Sequence, residues 1–199
     1  LLMASRFGHE DIVVLMLAHG AVTDPASGYD TALISASTGG HAAIVQLLLE
    51  RRVDIDATDS DNCTALHRAS FGGNIDVVRI LLEHGADVEI VDYDGLTPLC
   101  AAASENQMDT VLLLLKHTPE IREAIFYASL NGHTEVLRVL REHITTCVDL
   151  DDNGFEQTPL YAAAAGGYVA IVEMLLAHGS RVHTKRGADA LDIACEDGY

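Results

Sequence analysis

Ten histidines in 199 residues are the first candidates for chemistry, as metal ligands or as proton carriers. Their positions point elsewhere. His19, His84, His117, His143 and His178 each fall at the end of an apolar helical segment, where a partly charged imidazole meets the negative pole of the helix. His9, His41 and His133 each follow a glycine, His67 stands three residues after Thr64, and His183 lies in a hairpin arm. The acid pairs Asp59/Asp61, Asp92/Asp94 and Asp151/Asp152 could serve as catalytic carboxylates. They sit in polar turns, without the burial that tunes a carboxyl for acid–base work. Cys63, Cys100, Cys147 and Cys195 form no Cys-x-x-Cys pair, so neither a disulfide framework nor a zinc site is expected. Gly39-Gly40, Gly72-Gly73 and Gly166-Gly167 lack the following Lys-Ser/Thr of a phosphate-binding loop. No serine or cysteine has the strand–turn–helix setting of a nucleophile elbow.

What positions these residues is a recurring unit, clearest between Asp59 and Val91. A polar turn, Asp59 to Asn62, leads to Thr64, whose hydroxyl can cap a short helix by accepting from a first-turn amide. Gly72-Gly73 breaks that helix, because glycine takes left-handed backbone angles cheaply. Ile75, Val78, Leu81 and Leu82 then follow at helical spacing. His84-Gly85 closes the second helix, and Asp87 to Val91 alternates like one arm of a short hairpin. Two helices of roughly eight residues are too short to stand alone in water, where ~12–15 residues are marginal. The unit must stack on copies of itself.

Those copies are marked by Gly8, Gly40, Gly73, Asn106, Gly132, Gly167 and Gly198, with successive spacings of 32, 33, 33, 26, 35 and 31. Helix starts recur at Thr31-Ala-Leu33, Thr64-Ala-Leu-His67, Thr97-Pro-Leu99 and Thr158-Pro-Leu160. Second helices recur as Ile44-Val-Gln-Leu-Leu-Leu49, Val77-Val-Arg-Ile-Leu-Leu82 and Ile171-Val-Glu-Met-Leu-Leu176. In these residues the chain resembles the ankyrin repeat family. The resemblance implies an all-α solenoid of stacked helix–turn–helix repeats with short β-hairpin turns. We expect one repeat domain over 1–199 with six to seven repeats, divided as 1–25 (partial), 26–58, 59–91, 92–118, 119–145, 146–183 and 184–199 (partial). In such a stack equivalent histidines stand about 10 Å apart, too far to share a metal whose ligands sit ~2 Å from it. Neither end reads as a polar cap, which suggests a slice of a longer array.

The repeat 119–145 lacks its hairpin: the spacing of 26 is seven short of 33, Pro119 stands in the compressed connection, and Glu123-Ala-Ile125 replaces Thr-Pro-Leu. A local change of curvature around 117–126 is expected, against the alternative of a shortened loop between normally stacked helices.

Composition narrows the partner. Thirty acidic residues against 12 basic ones leave a net charge of −18, which disfavours binding a phosphate backbone or an anionic membrane surface. No apolar run reaches the ~18 residues of a membrane span. The cysteine pattern suits a reducing intracellular compartment, cytoplasmic or nuclear. No enzyme activity, cofactor, metal or small-molecule ligand is expected. The family resemblance implies a concave face, lined by turn tips and first helices, that binds another protein. Carried over position by position, its candidate contacts are Asp30, Asp61, Phe71, Tyr93, Asp94, Leu96, Glu105, Leu130 and Phe155. The aromatic and aliphatic members are expected to anchor the partner and the acids to steer a basic segment. The alternative is an architectural or regulatory arm of a larger signalling, channel or enzyme polypeptide.

Overall fold

A computed structural model describes residues 1–21, 31–118, 120–143 and 158–180. Among them are twelve helices: α1 (Leu2–Arg6), α2 (Glu10–Ala18), α3 (Ala32–Thr38), α4 (Ala42–Leu49), α5 (Ala65–Phe71), α6 (Ile75–Glu83), α7 (Pro98–Ser104), α8 (Met108–Leu114), α9 (Arg122–Leu130), α10 (Thr134–Glu142), α11 (Pro159–Ala165) and α12 (Val169–Ala177). They are paired as the repeats require. The chain divides into two compact units, Leu1–Ala102 and Ala103–Tyr199.

In the first unit α1 packs on α3 and α3 on α5, while α2 packs on α4 and α4 on α6. Leu33, Ile34, Ile44, Leu48, Leu66, Val77 and Leu81 are buried between these layers. Ala36 and Ala69, fully buried, let the first helices approach closely. In the second unit α9 packs on α10 and α11, and α11 on α12, around Val111, Leu114, Ile125, Val136, Leu137, Leu140, Leu160 and Ile171.

The local signals act as their chemistry requires. The hydroxyls of Thr31, Thr64, Thr97 and Thr158 accept from the amides of Ile34, His67, Cys100 and Tyr161 at 3.1, 3.3, 3.3 and 3.1 Å. Between the paired helices Gly73 holds a φ of 66°, and Asn106 takes the same left-handed place at 58°, a conformation asparagine tolerates better than most residues. The Nδ1 atoms of His19, His84, His143 and His178 each lie 2.8–2.9 Å from the carbonyl four residues back, capping the ends of the second helices.

Residues that follow the glycines brace one repeat to the one before. His41 Nε2 donates to the Arg6 carbonyl at 2.9 Å, Asn74 Nδ2 to that of Ser37 at 2.9 Å, and His133 Nε2 to that of Ser104 at 2.8 Å. The glycines therefore have a second role: a Cβ on Gly39 would stand 2.5 Å from the Arg6 carbonyl oxygen and against the His41 ring.

The described inter-repeat segments are tight turns. No strand occurs among the described residues, and Thr58 and Thr64 form an isolated antiparallel bridge. The alternating stretch Asp87 to Val91 does not extend into a ladder, because its polar groups bond to side chains. The Asp87 amide donates to Asp56 Oδ1 at 3.0 Å, the Glu89 amide to Asp87 Oδ1 at 2.9 Å, and the Val91 carbonyl accepts from Asn62 Nδ2 at 2.7 Å. No helix among the described residues is long and apolar enough to cross a membrane.

Candidate functional site

Two turns one repeat apart share one construction. Asp59 Oδ1 accepts from the amides of Asp61 and Cys63 at 2.9 and 3.0 Å. Asp92 Oδ1 accepts from those of Asp94 and Leu96, both at 2.9 Å. In each, the first aspartate also closes the turn through its backbone, Asp59 N–H to the Cys63 carbonyl and Asp92 N–H to that of Leu96, both at 3.0 Å. Asn62 (φ 61°) and Gly95 (φ 78°) supply the left-handed residue. A short aspartate side chain thus stands in for the partners the turn amides would otherwise find in a strand.

The turns are then tied together and to α5. The Tyr93 amide donates to the Asp61 carbonyl at 3.1 Å. Cys63 Sγ lies 3.8 Å from Asp92 Oδ2. His67 Nδ1 receives the Thr64 amide at 3.1 Å, and His67 Nε2 reaches the Leu96 carbonyl at 2.9 Å. Since an amide only donates and a carbonyl only accepts, the ring is the neutral Nε2–H tautomer. Arg68, one residue on, donates from Nε to Asp59 Oδ2 at 2.8 Å and from Nη2 to Asp61 Oδ2 at 2.6 Å. Burial disfavours the Arg68 charge, but its bonds to Asp59 and Asp61 outweigh that and hold the guanidinium proton more tightly than usual.

The nine candidate contacts separate on this frame. Tyr93 is 77 % exposed at the tip of its turn, with Asp94 exposed beside it. Phe71, 54 % exposed, lies three residues after Arg68 and so on the same side of α5. Asp61 joins this group through its backbone bond to Tyr93, but its carboxylate is already paired with Arg68. Leu96 is half-buried and is engaged through its carbonyl. Glu105 and Leu130 belong to the second unit, where both are exposed. Asp30 and Phe155 lie outside the described residues. Arg68 is the residue that sequence reasoning missed. Its only signal was a lone cation seven and nine residues after two turn aspartates.

Burial pushes the Cys63 thiol up to about 11, so it holds its proton near neutral pH and is a poor nucleophile. Burial likewise lowers the His67 pKa, against the pull of the Leu96 carbonyl and of Asp92. Among the described residues no cluster of three or more His, Cys, Asp or Glu could hold a metal ion.

Comparison with known proteins matches the chain to two family models, both described as ankyrin repeats. A three-copy model covers residues 1–92 and 125–199, and a many-copy model covers 72–115. No curated protein matches by sequence. A solved structure, the human ASB11 ankyrin repeat domain, is similar with a TM-score of 0.83 and 24 % identity, over 97 % of this chain and 90 % of that one. At that identity the likeness concerns the fold.

Proposed function

This chain belongs to the ankyrin repeat family, and on that premise we propose that it is an interaction module that holds a partner protein on one surface of its first unit. Ankyrin repeats are in general protein–protein interaction modules. The surface consists of the 59–63 and 92–96 turns and the neighbouring side of α5. One observation carries the reading: Tyr93, 77 % exposed, stands on a turn whose every end is tied down. A large aromatic held rigidly in water contributes nothing to folding there, and it offers a partner contact area at little entropic cost.

Phe71 is the second anchor. Asp94 supplies the negative charge that favours a basic segment in the partner, since the Asp61 carboxylate is shared with Arg68. Glu105 and Leu130, exposed on the second unit, are proposed separately as contacts there, and Asp30 and Phe155 are proposed on sequence alone. Leu96 acts by holding the turn. A photo-crosslinking amino acid placed at Tyr93 or Phe71, compared with one at the exposed Arg79 of α6, tests this in cells. One protein captured from the first two positions and not from Arg79 supports the surface. Equal capture from all three rejects it.

A second reading, an arm packed against another part of a larger polypeptide, has its own observation. Met3, Phe7, Ile12 and Leu15, on and beside α1 and α2, are each exposed. Large apolar side chains left in water favour a covering partner.

A further inference from the structure

We propose that the carboxylates of Asp92 and Asp94 receive an arginine guanidinium of the partner, with the Tyr93 ring beside them as its stacking face. The inference rests on the proposed surface and names the side chain that this surface takes.

It comes from setting one repeat on the next, 33 residues on, where Asp59 corresponds to Asp92 and Asp61 to Asp94. The two turns are built alike. Each first aspartate accepts two turn amides through Oδ1 at 2.9–3.0 Å and keeps Oδ2 for another donor. In the 59–63 turn that donor is a guanidinium. Arg68 donates from Nε to Asp59 Oδ2 at 2.8 Å and from Nη2 to Asp61 Oδ2 at 2.6 Å, so one planar group bridges both carboxylates. A turn of this construction thus sets its two acids at guanidinium spacing.

In the 92–96 turn two residues differ. Ala101 stands where Arg68 would, and a methyl group cannot reach either acid. Tyr93 stands where Ser60 would, and it is 77 % exposed. The inner cation is lost and an aromatic face gained at the same turn. Among the described residues no cation pairs with Asp92 or Asp94. Asp92 Oδ2 has the Cys63 thiol at 3.8 Å, a weak donor that leaves the charge in place. Asp94 is exposed and Asp92 half-buried. The turn closes without a cation, through the Asp94 and Leu96 amides on Asp92 and the Tyr93 amide on the Asp61 carbonyl. A guanidinium bound there serves recognition and not folding.

Arginine suits the site better than lysine. Its planar fork meets oxygens of two carboxylates at once, as Arg68 does, and its weakly hydrated face stacks on an aromatic ring. An ammonium is a compact, strongly hydrated point charge.

The test is an amide-shift titration of the isotope-labelled whole chain with acetyl-Gly-Arg-Gly-amide and acetyl-Gly-Lys-Gly-amide, with sodium chloride at matched ionic strength as control. The Tyr93 to Leu96 amides are expected to respond to the arginine peptide at a midpoint about threefold below that for lysine, the scale of an exposed cation–π contact. The Asp59 to Cys63 amides should stay still. Arg68→Ala should give the 59–63 turn an arginine response of its own, and Ala101→Arg should abolish the one at 92–96. Because Ala101 is buried, Asp94→Asn is the companion variant. It should weaken the arginine response about threefold, the scale of one exposed ion pair, with stability unchanged. Equal responses to arginine, lysine and sodium would overturn the proposal, as would an undiminished arginine response in Asp94→Asn. The readout needs no partner. Its failure with a protein still captured at Tyr93 would remove the arginine and leave the surface standing, whereas an arginine response with nothing captured would leave the receptor standing and remove the module.

Discussion

The turn pair at 59–63 and 92–96 and the shortened junction at 115–121 solve the same problem, joining one helix pair to the next, with opposite means. At the turn pair side-chain hydrogen bonds make the join: two aspartates close the turns, Arg68 clamps both Asp59 and Asp61, and His67 reaches across a repeat. At the junction the described residues carry looser polar contacts. Ile121 precedes α9 without a side-chain cap, the Glu120 amide donates to Thr118 Oγ1 at 3.3 Å, and Glu120 pairs with Arg122 at 3.9 Å in the open. What holds the junction is burial, with Leu115, Ile121 and Ile125 nearly or fully inside. The proposed recognition surface around Tyr93 is thus built on side-chain hydrogen bonds, and the junction on buried apolar side chains.

Burial at the junction is tested by the largest expected effect. Ile125→Ala should destabilise the protein by about 2–5 kcal/mol, the cost of a core cavity, whereas Thr64→Ala should cost only ~1 kcal/mol for its lost cap. Denaturant unfolding of the two variants measures both.

The ion pairs of the two regions differ in the same direction. Arg68→Gln strands the Asp59 carboxylate, whose side chain is only 7 % exposed, and should cost about 1–3 kcal/mol. Arg122→Gln removes an exposed pair and should change stability by less than ~0.5 kcal/mol.

Acidification separates the regions further. The folded-state pKa of His67 is depressed below its ordinary value of 6.5, so the unfolded chain takes up the proton first as pH falls. The stability due to neutral His67 is complete above that value and declines below it, at no more than ~1.4 kcal/mol per pH unit, until the folded-state pKa is passed. His67→Ile should flatten this part of the stability profile. The smallest expected effect is at Ser70, whose buried hydroxyl has no hydrogen-bond partner. Ser70→Ala should be neutral or stabilising by less than ~1 kcal/mol.

Much of the fold was legible because its signals are local. Threonine caps, inter-helix glycines and helix-ending histidines act within four residues of themselves, and Asn106 could be recognised as a glycine substitute from its place in the period. What escaped the sequence depends on residues a repeat apart. Arg68 meets Asp59 and Asp61 only once the turn folds back over α5. The tight space at Gly39 exists only because the preceding repeat presents the Arg6 carbonyl there. The alternation of Asp87 to Val91 suggested a strand, yet its amides are bonded by aspartate side chains, a competition that residue pattern does not reveal.

Tyr93→Ala, assayed in parallel for unfolding free energy and for recovery of the protein crosslinked at that position, is the most direct test of a recognition surface distinct from the folding core. The account predicts stability within about 0.5 kcal/mol of the unaltered chain, as for other exposed sites, together with loss of the partner. A variant that unfolds more readily yet still retains its partner would contradict it.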